Sequence, residues 1–332
     1  SCTITASQAG NANYNPASSV DRTFAIAKAD QTITFAAIAA KTYGDADFNL
    51  TASASSGLSV SFSATGDCTV VAGPKAHITG AGSCTITASQ AGNANYNAAP
   101  GVDRIVTINK AGTSVTVASS ANPSMLGGSV TFAATVSSTA GTPGGTVQFR
   151  IDGTDVGTPV ALDAAGKASY TTSTLAVNNH TVTAVYGGAA NYAASTNSLA
   201  GGQNVRYRWT GFFQPIDNDP DQTGSAPTAN TVWNVAKSGS TIPVKFSLAG
   251  NQGLSIIFGG APTAPAVTCP NSTASLDPIE ETTTTSGLKY DATADQYNYA
   301  WKTATNYSGT CRRLELKLVD GTSHYAFFKF TK

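Results

Sequence analysis

The residues with the clearest chemical capacity form a short acidic run, Asp217-Asn218-Asp219-Pro220-Asp221, in a stretch rich in Gly, Pro and Thr. Carboxylates recur at every second position, and alternating oxygen ligands from one loop suit a hard cation such as calcium. The run departs from an EF-hand, because Pro220 interrupts it and the required Gly and Glu do not follow. We therefore expect a solvated acidic loop, and keep a calcium site at Asp217, Asp219 and Asp221 as the alternative.

Side chains suited to catalysis are few and scattered. Nucleophilic catalysis needs a Ser or Cys beside a base that a third group holds, yet no Gly-x-Ser-x-Gly elbow is present. Glu280 and Glu281 would supply an acid and a base, but adjacent residues of a strand point to opposite faces. A solvated sheet edge explains this pair better, so the sequence predicts a protein that is not an enzyme. The three histidines fall in three different contexts: His77, His180 and His324.

The five cysteines divide along the chain in a way that predicts two disulfides. Cys68 and Cys84 lie close in sequence, and closing such a loop stabilises a fold by about 3 kcal/mol in the chain-entropy view. Cys269 and Cys311 form a second pair, whereas Cys2 has no partner nearby. The rival interpretation is a metal site, which would call for a spacing such as Cys-x-x-Cys that is missing here. Paired cysteines are typical of an oxidising compartment, so we expect a secreted or cell-surface protein.

Composition argues against several classes of protein. Only 11% of the 332 residues are charged, with equal numbers of basic and acidic side chains, so we expect no nucleic acid partner. The apolar fraction is 41%, yet no run of about 18 apolar residues is present, which predicts no membrane span. A chain of this length usually folds as roughly two to four domains.

An internal repeat gives the first indication of the domains that carry these residues. Residues 1–15 read SCTITASQAGNANYN, and residues 83–97 read the same letters. The match continues to Lys-Ala at residues 110–111, so one full unit covers residues 30–111 and residues 1–29 carry the last strands of a preceding unit. A related Asn-Tyr turn returns at Asn191-Tyr192, which indicates a further unit.

Apolar and small polar residues alternate through short runs, and a period of two predicts half-buried strands. Turn signals such as Asp152-Gly153 separate these runs. About seven strands in roughly ninety residues is typical of an immunoglobulin-like (Ig-like) sandwich. We predict an all-β fold of tandem Ig-like β-sandwich domains, with boundaries at 1–29, 30–111, 112–205 and 206–332. In the last two domains, strands are predicted at 114–118, 129–136, 146–151, 167–172, 180–186, 242–248, 297–301, 314–319 and 324–330.

Three stretches of the chain resemble known bacterial families. SCTITASQAGNANYN at 83–97 resembles the MBG-type Ig-like repeats of large surface proteins. SVTVASSANPSMLGGSVTFAATV at 114–136 and HTVTAVYGGAANYAAS at 180–195 resemble the bacterial Ig-like repeats that accompany them. GFFQP at 211–215 and PVKF at 243–246 are similar to the PxKF domain of secreted proteins. These resemblances imply an extracellular bacterial protein, and none of the families implies a catalytic residue set.

Aromatic residues of the last segment raise a second interpretation. Flat exposed rings can stack on sugars, but a small sandwich also needs large core residues. We therefore expect these rings mainly in the core, and keep a glycan-binding or partner-binding adhesin module as the alternative. The sequence by itself names no glycan-binding residue. The rings in question belong to Trp209, Phe212, Phe213, Trp233 and Trp301.

Residues 1–29 supply only two strands, and two strands alone cannot bury a hydrophobic face. Ile4, Phe24 and Ile26 would then face water. Either the missing strands precede Ser1 in a longer natural chain, as the start of the sequence indicates, or another molecule supplies them by strand donation.

We expect a non-catalytic structural or adhesive element of an extracellular stalk, fibre or filament. Its predicted partners are copies of itself or other surface proteins, with glycans as an alternative. No cofactor is expected apart from the calcium alternative. An accessory segment of a larger enzyme is a third interpretation.

Overall fold

The computed structural model describes residues 1–217, 224–228, 230–270, 276–279, 283 and 287–332. Regular structure in these residues is almost entirely β-strand, with a single 3-10 turn at Thr305–Tyr307. Within the same residues, no helix has the length and apolar character needed to cross a membrane.

The N-terminal segment, residues 1–29, forms an antiparallel hairpin of β1 (Cys2–Gln8) and β2 (Ala17–Phe24). Asn11 closes the loop between the strands, because its Oδ1 accepts hydrogen bonds from the backbone N–H groups of Asn13 and Tyr14 at 2.9 and 3.1 Å. Side chains of this kind favour turns by bonding to nearby backbone. We call this segment the N-terminal hairpin.

Residues 30–111, here called the first unit, fold into short strands. Their bounds are β3 (Ile33–Phe35), β4 (Lys41–Thr42), β5 (Phe48–Asn49), β6 (Ala52–Ala54), β7 (Ser61–Gly66), β8 (Cys68–Val71), β9 (Lys75–Ile78), β10 (Gly82–Gln90) and β11 (Ala99–Asn109). The largest sheet has the order β4-β11-β10-β7, a second sheet pairs β3 with β6, and a third has the order β5-β9-β8.

The core of the first unit forms because every second residue of its longest strands is apolar or small. Cys84, Ile86 and Ala88 of β10 are all fully buried. Val106 and Ile108 of β11 lie in the same cluster. The alternation read from the sequence therefore places one face of this sheet against the core.

Residues 112–205, the second unit, carry another set of strands around a separate core. Phe132, Phe149 and Tyr186 are the largest fully buried side chains of that core. Two of its sheets have the orders β12-β14-β17 and β16-β15-β19-β20, and β21 lies between β13 and β18. The bounds are β12 (Ser114–Ser119), β13 (Ser124–Met125), β14 (Val130–Ser137), β15 (Thr146–Ile151), β16 (Thr154–Ala161), β17 (Lys167–Thr172), β18 (Asn179–His180), β19 (Val182–Tyr186), β20 (Ser195–Ser198) and β21 (Gln203–Arg206).

The second unit differs from the predicted strands in several places, since β13, β16, β20 and β21 were not predicted and one predicted strand is interrupted. Thr181 interrupts the strand predicted at 180–186, because its backbone N–H donates to Oδ1 of Asp152 at 2.9 Å. The edge strand β16 was not among the predicted strands, since Gly157 and Pro159 weaken the strand pattern. Among the described strands it pairs only with β15, and an edge strand tolerates proline because one row of its N–H groups needs no partner strand.

Residues 206–332, the terminal unit, hold the largest core. Phe246, Trp301, Leu314 and Phe328 are buried together in that core. One sheet has the order β22-β24-β28-β27 and the other β25-β29-β30-β23-β26. The bounds are β22 (Phe212–Phe213), β23 (Trp233–Lys237), β24 (Thr241–Phe246), β25 (Ala266–Val267), β26 (Leu276–Pro278), β27 (Leu288–Asp291), β28 (Gln296–Lys302), β29 (Cys311–Lys317) and β30 (Ser323–Thr331).

The chain is therefore an all-β protein of tandem Ig-like β-sandwiches, as the alternating pattern predicts. Three large clusters of buried residues lie one after another along the sequence. The boundaries of the units remain those predicted from the sequence, at 1–29, 30–111, 112–205 and 206–332.

Candidate functional site: an exposed hairpin and a joint between units

The N-terminal hairpin presents apolar side chains that the corresponding hairpin of the first unit buries. Ile4 is 61% exposed, whereas its repeat counterpart Ile86 is fully buried. Phe24 is 50% exposed, whereas its counterpart Val106 is fully buried. The same strand pairing therefore has an uncovered apolar face in one copy and a covered face in the other.

The outer edge of β1 pairs with no strand among the residues that the structure describes. In the first unit, β7 fills the same edge of β10, in a register that runs from Cys84 opposite Gly66 to Ser89 opposite Ser61. An unpaired row of backbone N–H and C=O groups is a template for another strand. The N-terminal hairpin thus has both an open edge and an open face.

A second feature is the joint between the first and second units. The backbone N–H of Ala81 donates to Oδ1 of Asn191 at 2.9 Å. The rings of Tyr43 and Tyr192 pack edge to face, with their centroids 5.7 Å apart. Gly44 lies beside this ring pair, and an added Cβ there would come within 2.5 Å of the Cβ of Ala140. One turn of the second unit therefore contacts two separate loops of the first.

The chain that connects these two units is held by hydrogen bonds against the turn at residues 189–193 of the second unit. The N–H of Ala111 donates to the carbonyl of Asn191, and the N–H of Ala193 donates to the carbonyl of Ala111, both at 2.9 Å. Lys110 Nζ donates to the carbonyl of Ala189 at 2.8 Å. A linker with its backbone bonded in this way cannot swing as a free coil would, because reorientation would break these bonds.

The backbone part of this joint occurs twice. Ala29 N–H donates to the carbonyl of Asn95, and Asn97 N–H donates to the carbonyl of Ala29, again at 2.9 Å. The side chain of Asn95 is exposed, however, whereas its counterpart Asn191 bonds to the neighbouring unit. Asn191 and Asn95 therefore occupy equivalent positions. The side chain of Asn191 accepts a hydrogen bond from the neighbouring unit, and the side chain of Asn95 is exposed.

The joint is absent from the sequence-based prediction. The repeated Asn-Tyr turn was its signal, since a turn that returns at the same place in successive units indicates a repeated contact. Nothing in the local pattern says that Tyr43 and Ala81, far away in sequence, would meet it.

A charged pair stabilises the second unit. His180 Nδ1 lies 2.7 Å from Oδ2 of Asp152, and His180 Nε2 lies 2.8 Å from the carbonyl oxygen of Ala176. Burial of the ring favours neutral His180, yet these two acceptors outweigh burial and raise its pKa above 6.5. The hydrogen bond from His180 lowers the pKa of Asp152 below its ordinary 3.8.

The pH range of this stabilisation follows from the two shifts. The contribution of a group with a raised pKa is complete below its ordinary pKa and is lost as the pH rises through the raised value. The contribution of a carboxyl with a lowered pKa is complete above 3.8 and is lost as the pH falls through the lowered value. The pair therefore stabilises the second unit most between about pH 3.8 and 6.5.

Two disulfides join the cysteine pairs named from the sequence. Cys68 is bonded to Cys84 with the Cα atoms 5.5 Å apart, and Cys269 to Cys311 with the Cα atoms 5.1 Å apart. Cys2 is half-buried and free. Each bond joins a loop or strand end to a central strand of its own unit.

The acidic run is described only at its start. Asp217 is tied to Asn234, since its N–H donates to Oδ1 of Asn234 at 2.8 Å and Asn234 Nδ2 donates to its carbonyl at 3.1 Å. Asp219 and Asp221 lie outside the described residues, as do Glu280 and Glu281. The calcium site stays a prediction. Within the described part of the chain, no group of three or more His, Cys, Asp or Glu side chains is arranged to hold a metal ion.

The aromatic side chains of the terminal unit pack mainly in its interior. Trp233 is 3% exposed and Trp301 6% exposed. Trp209 is half-buried between two rings, with its centroid 3.6 Å from that of His324 and 5.4 Å from that of Phe246. Trp209 stacks against both of these rings, so the three indoles pack mainly among protein side chains.

This protein belongs to the class of tandem Ig-like β-sandwich proteins. Its first and second units are joined by a short connection that hydrogen bonds hold in place. Within that class, residues 115–204 match the family model described as Bacterial Ig-like domain (group 3). The match covers most of the second unit. No curated protein matches the chain.

Three solved structures are similar to the chain at low identity and low TM-score. An adhesin described as helping an Antarctic bacterium bind ice is 14% identical, covers 99% of this chain and 81% of its own, and has a TM-score of 0.26. A protein from Corynebacterium diphtheriae is 12% identical, with 100% and 97% covered and a TM-score of 0.27. The I9-I11 tandem of titin is 9% identical, with 91% and 99% covered and a TM-score of 0.26. None of these likenesses bears on function.

Proposed function

We propose that this chain is a non-catalytic structural or adhesive element of an extracellular bacterial stalk, fibre or filament. The observation that carries the proposal is the joint, because a string of sandwiches holds its partners at a distance only when consecutive units keep a fixed orientation. The two disulfides support an oxidising, extracellular location. The Bacterial Ig-like match at 115–204 and the resemblances to MBG-type repeats and the PxKF domain support a bacterial surface protein.

The joint can be tested with a matched pair of variants in the full chain. Asn191→Ala with Lys110→Ala removes two of its side-chain hydrogen bonds. Asn95→Ala with Lys28→Ala makes the same changes at the repeat positions, where these side chains form no such bonds among the described residues. Backbone 15N relaxation then reports whether the first and second units rotate as one body.

We expect a common rotational correlation time for the two units in the wild type and in the Asn95/Lys28 control. The Asn191/Lys110 variant should show separate, shorter correlation times. Independent rotation in the wild type, or equal loosening in both variants, would overturn the structural proposal.

A finer proposal concerns assembly. We infer that the N-terminal hairpin accepts a strand from a second copy or from another surface protein along the open edge of β1. Exposed Ile4 and Phe24 support this inference, since they would be covered if a strand and a facing sheet were added, as β7 and the rest of the first unit cover Ile86 and Val106.

Strand donation predicts association that depends on concentration. Sedimentation equilibrium of the full chain should give a mass above 33.6 kDa, and Ile4→Asp should return it to the monomer. Ile105→Asp is the control, because Ile105 is also exposed, at 70%, but belongs to the hairpin of β10 and β11, whose β10 edge is already filled by β7. A monomer at every concentration, or equal loss of association in both variants, would rule out strand donation and leave the rigid joint untouched.

An adhesin that binds glycans or a partner protein is the second candidate function. The buried Trp233 and Trp301 do not favour it, since a stacking platform needs exposed rings. A cleft where the second unit meets the terminal unit does favour it, because two arginines, Arg206 and Arg208, line this cleft.

A further inference from the structure

A cleft of about 270 Å³ lies where the second unit meets the terminal unit. Ligand sites commonly lie at domain interfaces, and drug-sized ones enclose roughly 300–1,000 Å³. The cleft therefore has room for a ligand of about one ring. It is lined by Met125, Arg206, Tyr207, Arg208, Trp209, Thr322 and His324.

The cleft carries two guanidinium groups. Arg206 is half-buried and its Nε donates to Oδ1 of Asn204 at 3.3 Å, a neutral acceptor. Arg208 is exposed. Among the described residues, neither arginine forms an ion pair with a carboxylate. A guanidinium keeps its charge at every physiological pH, so both groups are available to an anion.

The acidic group beside the cleft is Asp320, and its oxygens are already engaged. Oδ2 accepts from the backbone N–H of Tyr207 at 2.8 Å. Oδ1 accepts from the backbone N–H of Thr322 at 2.9 Å and from its hydroxyl at 2.6 Å. Asp320 thus fixes the loop that forms one wall of the cleft. The two positive charges of Arg206 and Arg208 outnumber the single negative charge of Asp320.

The opposite wall is a neutral aromatic pair. The rings of Trp209 and His324 are stacked with an interplanar angle of 8°. Burial lowers the pKa of His324 to about 4, although the negative charge of Asp320 acts to raise it. The imidazole is therefore neutral near pH 7. The Thr322 hydroxyl donates its proton to Asp320 and must accept from His324 Nε2, which lies 3.1 Å away.

We propose that this cleft binds a carboxylate-bearing sugar ring, the repeating chemistry of an acidic polysaccharide. A guanidinium matches a carboxylate with two parallel hydrogen bonds. The edges of Trp209 and His324 and the flexible, 47% exposed side chain of Met125 supply apolar contacts for the ring carbons. This site would add glycan contact to the chain whether or not the joint is rigid.

The test uses the full chain with two sugars that differ in the carboxylate. D-glucuronate and D-glucose are titrated while the 1H–15N signals of Trp209 and of the Thr322 and His324 amides are followed. We expect glucuronate to shift these signals in a saturable way and to bind at least tenfold more tightly than glucose. Binding should weaken as salt is added, because exposed charges are screened.

Variants separate the arginines from general surface charge. Arg206→Gln and Arg208→Gln should each weaken glucuronate binding tenfold or more. Arg150→Gln is the control, because Arg150 lies on the surface away from the cleft, paired with Asp155 at 2.5 Å. Arg208 is exposed, so its variant should keep the wild-type melting temperature even if Arg206→Gln disturbs folding.

The proposal is overturned by the absence of a saturable shift with glucuronate, by equal affinity for glucose, or by unchanged affinity in Arg208→Gln. Inorganic phosphate is the last probe. If phosphate displaces glucuronate at equal concentration, the site recognises a simple anion and the sugar assignment is wrong.

Discussion

The N-terminal hairpin and the last hairpin of the first unit are one sequence in two surroundings. Residues 1–15 and 83–97 are identical, and both hairpins pair in the same register, with a β-bulge before Gln8 in one and before Gln90 in the other. Gly10 and Gly92 both have φ near +75°, at +72° and +76°. The local geometry of the hairpin is therefore reproduced without the rest of the unit.

The surroundings of the two hairpins change the bonding partners of equivalent side chains. Gln90 Oε1 accepts from Gln31 at 2.6 Å, a residue of the unit's first loop, whereas Gln8 bonds only within its own turn among the described contacts. Cys84 is in a disulfide and Cys2 is free. The comparison separates the interactions that a hairpin makes by itself from those that require a complete sandwich.

The largest expected difference is at the buried isoleucine. Ile86→Ala should lower the free energy of unfolding of the first unit by roughly 2–5 kcal/mol, because it leaves a cavity in a packed core. Ile4→Ala should change stability by less than about 0.5 kcal/mol, since a surface side chain has little packing to lose. Native-state hydrogen exchange of the β10 and β1 amides measures the two effects separately. Equal effects would mean that the N-terminal hairpin is covered in solution.

The disulfide gives the next largest difference. Replacing Cys68 and Cys84 together by Ser should cost the first unit about 3 kcal/mol, because the unfolded chain regains the freedom that the bond removes. Cys2→Ser should leave the calorimetric transitions of all units unchanged. A shift with Cys2→Ser as large as that of the double variant would show that Cys2 is also bonded in solution.

A smaller difference in stability is expected between the two arginines at the same position of the repeat, Arg104 and Arg22. Arg104 donates from Nε to the carbonyl of Phe35 at 2.9 Å, and its repeat counterpart Arg22 has no such partner among the described residues. Arg104→Gln should therefore destabilise the first unit by about 1 kcal/mol, whereas Arg22→Gln should have no measurable effect in urea unfolding. Indistinguishable midpoints for Arg104→Gln and the wild type would contradict this assignment.

The smallest effects should be the same in both hairpins. Thr5 donates to Asp21 at 2.5 Å and Thr87 donates to Asp103 at 2.6 Å, both on exposed faces. Asp21→Asn and Asp103→Asn keep an acceptor oxygen and should each change stability by less than about 0.5 kcal/mol. Thermal unfolding of the two variants checks this, and a large effect in only one would show that this bond depends on its surroundings.

Much of the fold was predictable because strands and turns are local. The predicted strand at 167–172 has the observed bounds of β17, and the one at 146–151 those of β15. The break at Thr181 was not predictable, since it depends on the side chain of Asp152 reaching across from another turn.

The candidate surfaces were only partly predictable. Exposure of Ile4 and Phe24 follows from counting strands, and it was expected. The cleft was not, because it brings together Met125, residues 206–209 and residues 322–324, which no periodic pattern connects.

The amino-acid sequence by itself determined the hairpins, their register and their turns, because these depend on pairing between strands that follow each other along the chain, from Gly82 to Ile108 at the widest, and on backbone hydrogen bonds that form without a core. Only the tertiary structure decided which strand fills the edge of β10, that Asn191 meets Ala81, and that Arg206 and Arg208 line one cleft. Those outcomes depend on which distant strands pack against a segment. Identical segments such as 1–15 and 83–97 do not by themselves specify those strands.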